Sequence, residues 1–261
     1  MQIIIPLSGL GKRFQDAGYK DIKPLIKVHG RPIIEWVVDM FPGDHEFIFI
    51  CREEHLRETN LRSELTRIKP DGKIVSIEGH KLGPVYAVSK VFDLINDEAE
   101  VITNYCDFFQ IWDFEHFRKT VKQRGSHGAI PCYTGFHPHL MHPENLYASC
   151  KKDEKGNLTE IKEKFSFEAD KTKTSHSGGT YYFAKGKYVK KYFQKLMDEK
   201  HDLNGEYYIS LVYNLLVQDG LDVLVYDKVD YFCQWGTPKD LKEYETWMEI
   251  MSHYNRKALT A

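Results

Sequence analysis

The chain has 261 residues, and its 36 Lys and Arg nearly balance its 38 Asp and Glu, so no globally basic surface for nucleic acid is indicated. Aromatic residues make up 13% of it, which argues for a packed core and against disorder. The five cysteines (Cys51, Cys106, Cys132, Cys150 and Cys233) are odd in number and show no C-x-x-C spacing, no apolar run reaches membrane-span length and no leader precedes the first strand, so the expectation is a soluble cytoplasmic protein without disulfides, a zinc knuckle or a membrane partner.

In chain order, residues 2–7 (QIIIPL) predict a short buried strand, with Pro6 near its end because proline donates no ladder hydrogen bond. Pro32 opens a helix whose apolar residues Ile33, Ile34, Trp36, Val37, Met40 and Phe41 have helical spacing. A strand at 46–51, a polar helix at 53–68 and a strand at 73–78 follow. The Gly83-Pro84 turn leads into a helix through Ile95, and a strand at 100–106 ends on Asp107. A helix at 113–124 and a strand at 128–133 complete this half. The alternation predicts an α/β fold, a Rossmann-like mostly parallel sheet with helices on both faces, whose ligands bind beyond the C-terminal ends of the strands.

The second half is less regular. Residues 148–164 predict a hairpin turning at Lys155-Gly156-Asn157, and 177–186 carry a Tyr- and Phe-rich strand bounded by glycines. Helices are expected at 187–200 and 206–218, an exposed strand pair at 222–235, and a helix at 237–254 with Thr237 as cap and Pro238 in its first turn. Absence of a linker predicts one domain over 1–261, with 1–135 the nucleotide-binding core and 136–261 the acceptor-side part and last helix.

The first loop carries the chemistry. Ser8-Gly9-Leu10-Gly11 is followed directly by Lys12 and Arg13, and Lys23 precedes Pro24. Glycines there let the backbone approach a ligand, exposed N–H groups form an anion pocket, and the cations add full charges, which suits a triphosphate. The pattern is neither a P-loop nor a dinucleotide fingerprint, since GxxxxGK[ST] is absent and Phe14 stands where a third glycine is required. His137, His139 and His142 have a spacing and a proline-punctuated setting that suit no fixed zinc site.

The run PLSGLGKRF…KPLIKVHGRPIIEWVV resembles the signature of the sugar-phosphate nucleotidyltransferase family, matching at Gly9, Gly11, Arg13, Phe14, Lys23, Pro24, Gly30 and Pro32 and departing at Ser8, where alanine is usual. LGPVYAV (82–88), VITNYCDFF (101–109), EIKEK (160–164), GGTYYF (178–183) and WGTPKDL (235–241) resemble later family segments, so the likeness spans nearly the whole chain. It implies a nucleotide-diphospho-sugar transferase-like fold with a smaller acceptor-side subdomain.

The resemblance also implies roles. Arg13 and Lys23 are the catalytic cations; Leu7, Ser8, Gly9, Gly11, Lys12, Glu78, Gly83 and Pro84 contact the nucleotide; Glu163, Lys164 and Gly179 contact the acceptor; Asp107 holds Mg²⁺. Many members carry a second metal-binding Asp where this chain has Gln234, a weaker ligand, with Asp230 a less favoured substitute. The implied reaction is attack of an acceptor phosphate oxygen on the α-phosphorus of an NTP, releasing pyrophosphate. CTP is favoured, with UTP or dTTP as alternatives; the acceptor is a sugar 1-phosphate, phosphocholine or a phosphorylated amino-acid amide. The Gln-Trp-Gly-Thr-Pro variant looks like members associated with capsule and surface polysaccharide, and family members commonly form dimers or larger assemblies, so a homodimer is an expectation here. Two other classes stay open: a glycosyltransferase, although Asn104-Tyr105-Cys106-Asp107 offers one acid where D-x-D offers two, and a non-catalytic nucleotide-sensing relative, which Gln234 supports and Arg13 and Lys23 oppose.

Overall fold

The structure is a computed structural model that describes residues 1–258, with side chains through residue 253. One sheet of ten strands organises it. From one edge, Lys73–Ile77, Glu46–Arg52, Gln2–Leu7 and Val101–Asn104 run parallel. Thr180–Phe183 follows, antiparallel to both of its neighbours, Val101–Asn104 and Gly128–Tyr133. Beyond Gly128–Tyr133 the sheet divides. Val223–Tyr226 pairs with it in parallel, while Ser175–Ser177, Ser149–Lys152 and Leu158–Lys162 continue antiparallel. Strands from both sides of residue 135 thus share one sheet.

The first strand shows how sequence sets this up. All six residues of Gln2–Leu7 are buried, as a strand covered on both faces requires. Ile3, Ile5 and Leu7 enter one apolar cluster with Phe47 and Phe49, and Ile4 enters the opposite cluster with Ile48 and Ile50. Helices Ile33–Asp39, Leu61–Ile68 and Phe114–Arg124 cover the first face, and Gly83–Ser89, Gly186–Asp198 and Ile209–Gln218 the second. Pro6 fits mid-sheet for a specific reason. Gln2 N donates to Glu100 O, so position 6 points to the same side, where pairing has already ended at Ile4 opposite Thr103.

Several expectations are corrected. Val223–Tyr226 is wholly buried inside the main sheet, and Val229–Gln234 pairs instead with Phe108–Trp112 as a separate two-stranded sheet. The alternating run 222–235 is therefore no local pair, and Phe108–Trp112 is an unexpected strand. The helix expected at 53–68 is two, Glu53–Glu58 and Leu61–Ile68. The Tyr-rich strand at 177–186 is broken by Gly178-Gly179 into Ser175–Ser177 and Thr180–Phe183. The 148–164 hairpin forms as expected, its turn held by Asp153 Oδ1, which accepts from the N–H groups of Lys155 and Asn157.

Candidate active site

Loops after Gln2–Leu7, Lys73–Ile77 and Val101–Asn104 meet at the C-terminal edge of the parallel strands and enclose a cleft of about 450 Å³. Leu7, Ser8, Gly9, Gly11, Lys23, His80, Lys81, Gly83, Pro84, Tyr105, Asp107, Glu206 and Tyr208 are among its walls.

Lys23 starts a short 3₁₀ turn, Lys23–Leu25, anchored by buried Pro24 and Leu25. Its ammonium hydrogen-bonds Asp107 Oδ2 at 3.0 Å, and the two side chains are only 23% and 28% exposed. Burial is the largest influence on Lys23 and works against its charge. The Asp107 carboxylate, by attraction and hydrogen bond, outweighs it and leaves the lysine pKa above its ordinary value. Lys12 and Arg13 stand exposed on the helix Lys12–Asp16, which buried Phe14 pins down by packing edge-on to Tyr19 at 5.0 Å. Among the described residues neither makes an ion pair, and Arg13 lies close enough for its charge to act on Lys23 and Tyr208.

Ser8, the departure from the signature, has a structural partner. His80 Nδ1 accepts the Leu82 N–H at 3.2 Å, so Nε2 carries the proton and donates to Ser8 Oγ, also at 3.2 Å. Partial burial and the charges of Arg52 and Lys90 hold the His80 pKa below its ordinary value, in keeping with that neutral ring. The bond ties the loop after Gln2–Leu7 to the loop after Lys73–Ile77 across 72 positions.

Gly83 lines the cleft at φ +83°, and a Cβ there would lie 2.8 Å from the backbone N and O of Tyr207. Tyr207 N donates to Leu82 O and Val85 N donates to Tyr207 O, so this turn needs glycine to admit the crossing segment. Glu78 is not brought into the cleft. It is exposed just past the Lys73–Ile77 strand, and His80 and Lys81 take the wall expected of it.

The acceptor-side candidates adjoin the cleft through Tyr105. Gly179, at φ +115°, leaves room for the Tyr105 ring, which would be 2.7 Å from a Cβ, and its carbonyl accepts the Tyr105 N–H. Glu163 accepts a hydrogen bond from Ser210, and its charge acts on Tyr105, Tyr181 and Tyr208. Burial raises the Glu163 pKa above the usual carboxylate value. Lys164 is exposed, its ammonium 5.9 Å from the Tyr208 ring centre.

Gln234 stands beside Asp107. A Cβ on the intervening Gly236 would lie 2.9 Å from Gln234 Nε2 and 3.2 Å from Asp107 Oδ2, and Trp235 N donates to Asp107 O. Asp230 is at the other end of the Val229–Gln234 strand, in a separate surface hollow with Asp39 and Trp112, so it is removed from Asp107. Among the described residues no three His, Cys, Asp or Glu side chains cluster as metal ligands, His137, His139 and His142 included. No helix there is long and apolar enough to cross a membrane. Sequence reasoning missed His80, Lys81, Tyr105, Glu206 and Tyr208; Tyr105, two residues before Asp107, was the one whose position offered a signal.

No family model matches the chain. It is 24% identical over 231 residues to the bifunctional protein GlmU of Thermosipho africanus, which covers 88% of this chain and 46% of that protein; the chain spans about half the length of this curated relative. A nucleoside-diphosphate-sugar pyrophosphorylase structure from Vibrio cholerae superposes with a TM-score of 0.74 at 18% identity, covering 93% of this chain and 98% of that one. An inositol-1-phosphate CTP transferase from T. maritima gives 0.70 at 16% identity, over 94% and 93% of the two chains. With the mixed sheet and its flanking helices, these superpositions establish a nucleotide-diphospho-sugar transferase-like α/β fold, running through nearly the whole chain.

Proposed function

We propose that this chain is a nucleotidyltransferase that moves a nucleoside monophosphate from an NTP to a small phosphorylated acceptor and releases pyrophosphate. The observation that carries the reading is the Lys23–Asp107 pair, set in a cleft walled by the Ser8–Gly11 turn with Arg13 unpaired nearby. Joining two anions needs positioning and charge neutralisation more than covalent chemistry. Lys23 holds the acceptor phosphate against the α-phosphate, and Arg13 neutralises the triphosphate and the departing pyrophosphate. Backbone N–H groups of the glycine turn take phosphate oxygens. Glu163, Lys164 and the surface around Gly179 receive the rest of the acceptor.

Mg²⁺ suits the donor set: Asp107 offers one carboxylate with Gln234 next to it, and the ion commonly takes one or two carboxylates and completes its shell with substrate phosphates and water. Bound there, it would supply neutralisation of the α-phosphate oxygens. Asp107 would hold the ion with Gln234 beside it, and Lys23 presents its charge to phosphate.

The narrower reading is a cytidylyltransferase of capsule or surface-polysaccharide precursor synthesis. It is supported by the resemblance of the Gln-Trp-Gly-Thr-Pro segment to such members, among them phosphoglutamine cytidylyltransferase, and by a structural neighbour described as a CTP transferase. CTP with phosphoglutamine is the first pair to test, ahead of CTP with phosphocholine and UTP or dTTP with a sugar 1-phosphate.

The experiment is a matrix of NTPs against phosphorylated acceptors with Mg²⁺, read as pyrophosphate. Pyrophosphate formed only when a matching pair is present supports the proposal. Nucleotide binding without turnover for any pair, or release of nucleoside diphosphate from a nucleotide sugar, replaces it with a sensing protein or a glycosyltransferase.

A further inference from the structure

A second cavity, of about 330 Å³, has Gln234 in its wall and lies between the loop holding Phe136, the Val229–Gln234 strand and the helix Pro238–Ala258. Its walls leave large aromatic surface in water: Phe136 is 63% exposed, Trp247 45% and Tyr231 38%. Tyr244 completes the aromatic set. Burying these rings would be favourable, so their exposure around one concavity marks a place where something binds.

The chemistry of that something is set by Glu243. It lies half-buried in the same wall, one turn before Trp247, and makes no hydrogen bond or ion pair among the described residues. Its charge nevertheless reaches Tyr231 and Tyr147. Asp240, the other acid of the wall, is already engaged by the Thr237 hydroxyl at the helix start. A carboxylate beside apolar surface and without a protein partner is a charge that a cation can pair with. Aromatic faces attract cations as well, and organic cations with apolar substituents more than a hydrated metal ion.

We propose that this cavity binds an organic cation of the quaternary-ammonium class, with Tyr231, Tyr244, Trp247 and Phe136 taking the apolar cationic head and Glu243 its charge. Because Gln234 belongs to this wall and also stands beside Asp107, an occupant touches a neighbour of a cleft residue.

The test uses the whole chain without nucleotide, and Glu243→Gln separates this cavity from the cleft, where phosphocholine is one candidate acceptor. Choline chloride and its uncharged carbon isostere 3,3-dimethylbutan-1-ol are titrated against tryptophan fluorescence, with Trp247→Phe identifying the reporter. The expected result is saturable quenching by choline, binding of the isostere weaker by roughly tenfold, and a comparable loss of choline affinity in Glu243→Gln with the circular dichroism unchanged. Equal binding of both probes, no saturation by choline, or an unaltered affinity in Glu243→Gln overturns the proposal. So does a solution mass of two chains in which Trp247 is already shielded, which would make the face a contact between copies.

Discussion

Lys23 Nζ sits 3.0 Å from Asp107 Oδ2, joining two loops 84 positions apart in the sequence. The pair places a cation and a carboxylate, each mostly shielded from water, at the point where two phosphates would have to meet. Each is the other's counter-ion in this state, and under the proposed reaction each would take a different partner.

Lys23→Ala is expected to lower pyrophosphate release by roughly a hundredfold or more, as losing one preorganised donor commonly does. Lys23→Arg does not restore it, because the planar guanidinium is a different shape from the point charge it replaces. Arg13→Ala loses activity to a similar degree while unfolding stability stays within about 0.5 kcal/mol, since the side chain is exposed and makes no ion pair among the described residues. Near-wild-type rates in either alanine variant would show that the residue has been given the wrong role.

Gln234→Asp places a second carboxylate beside Asp107. The Mg²⁺ concentration for half-maximal activity then falls, because carboxylates hold this ion better than amides do. Titrating activity against Mg²⁺ checks this. An unchanged or raised requirement would mean that Gln234 does not face the ion.

Glu163→Gln tests a buried charge. Burial raises the folded-state pKa of Glu163 above the ordinary 4.5. For such a group the favourable contribution is complete below the unfolded pKa and is lost as pH rises through the folded value. At neutral pH the ionised side chain therefore burdens the fold. The variant keeps a carbonyl for the Ser210 hydroxyl, so its Tm should exceed wild type at pH 7, with the gap closing as pH falls to about 4.5. Parallel melting curves at both pH values give the answer, and a constant gap would contradict it.

Gly179→Ala adds a methyl 2.7 Å from the Tyr105 ring at a backbone φ of +115°. The cost to stability should be about 1–3 kcal/mol by denaturant titration. Tyr105 lines the cleft, so its displacement should also raise the acceptor KM more than that of the nucleotide.

What the sequence disclosed follows from how local each determinant is. The 153–157 turn was legible because one Asp side chain organises it within five residues. The parallel half was legible because strands covered on both faces read as continuous apolar runs. Val223–Tyr226 and Val229–Gln234 were not, because an alternating run looks the same whether its strands pair together or part for separate sheets. Lys23 and Asp107, singled out by the family resemblance, both line the cleft. Their ion pair was not legible, nor was the Ser8–His80 bond, since contacts made across 72 to 84 residues leave no periodic trace. Glu78 was placed by counting along a motif, and the chain's path after Ile77 gave its place to His80.

The Thr180–Phe183 strand lies between Val101–Asn104 and Gly128–Tyr133, so the middle of the sheet closes only when a segment made late in synthesis arrives. A nascent chain paused near residue 135 would hold two open ladder edges, a known invitation to mispairing. Expressed alone, residues 1–135 are therefore expected to aggregate unless a later segment supplies the missing strand.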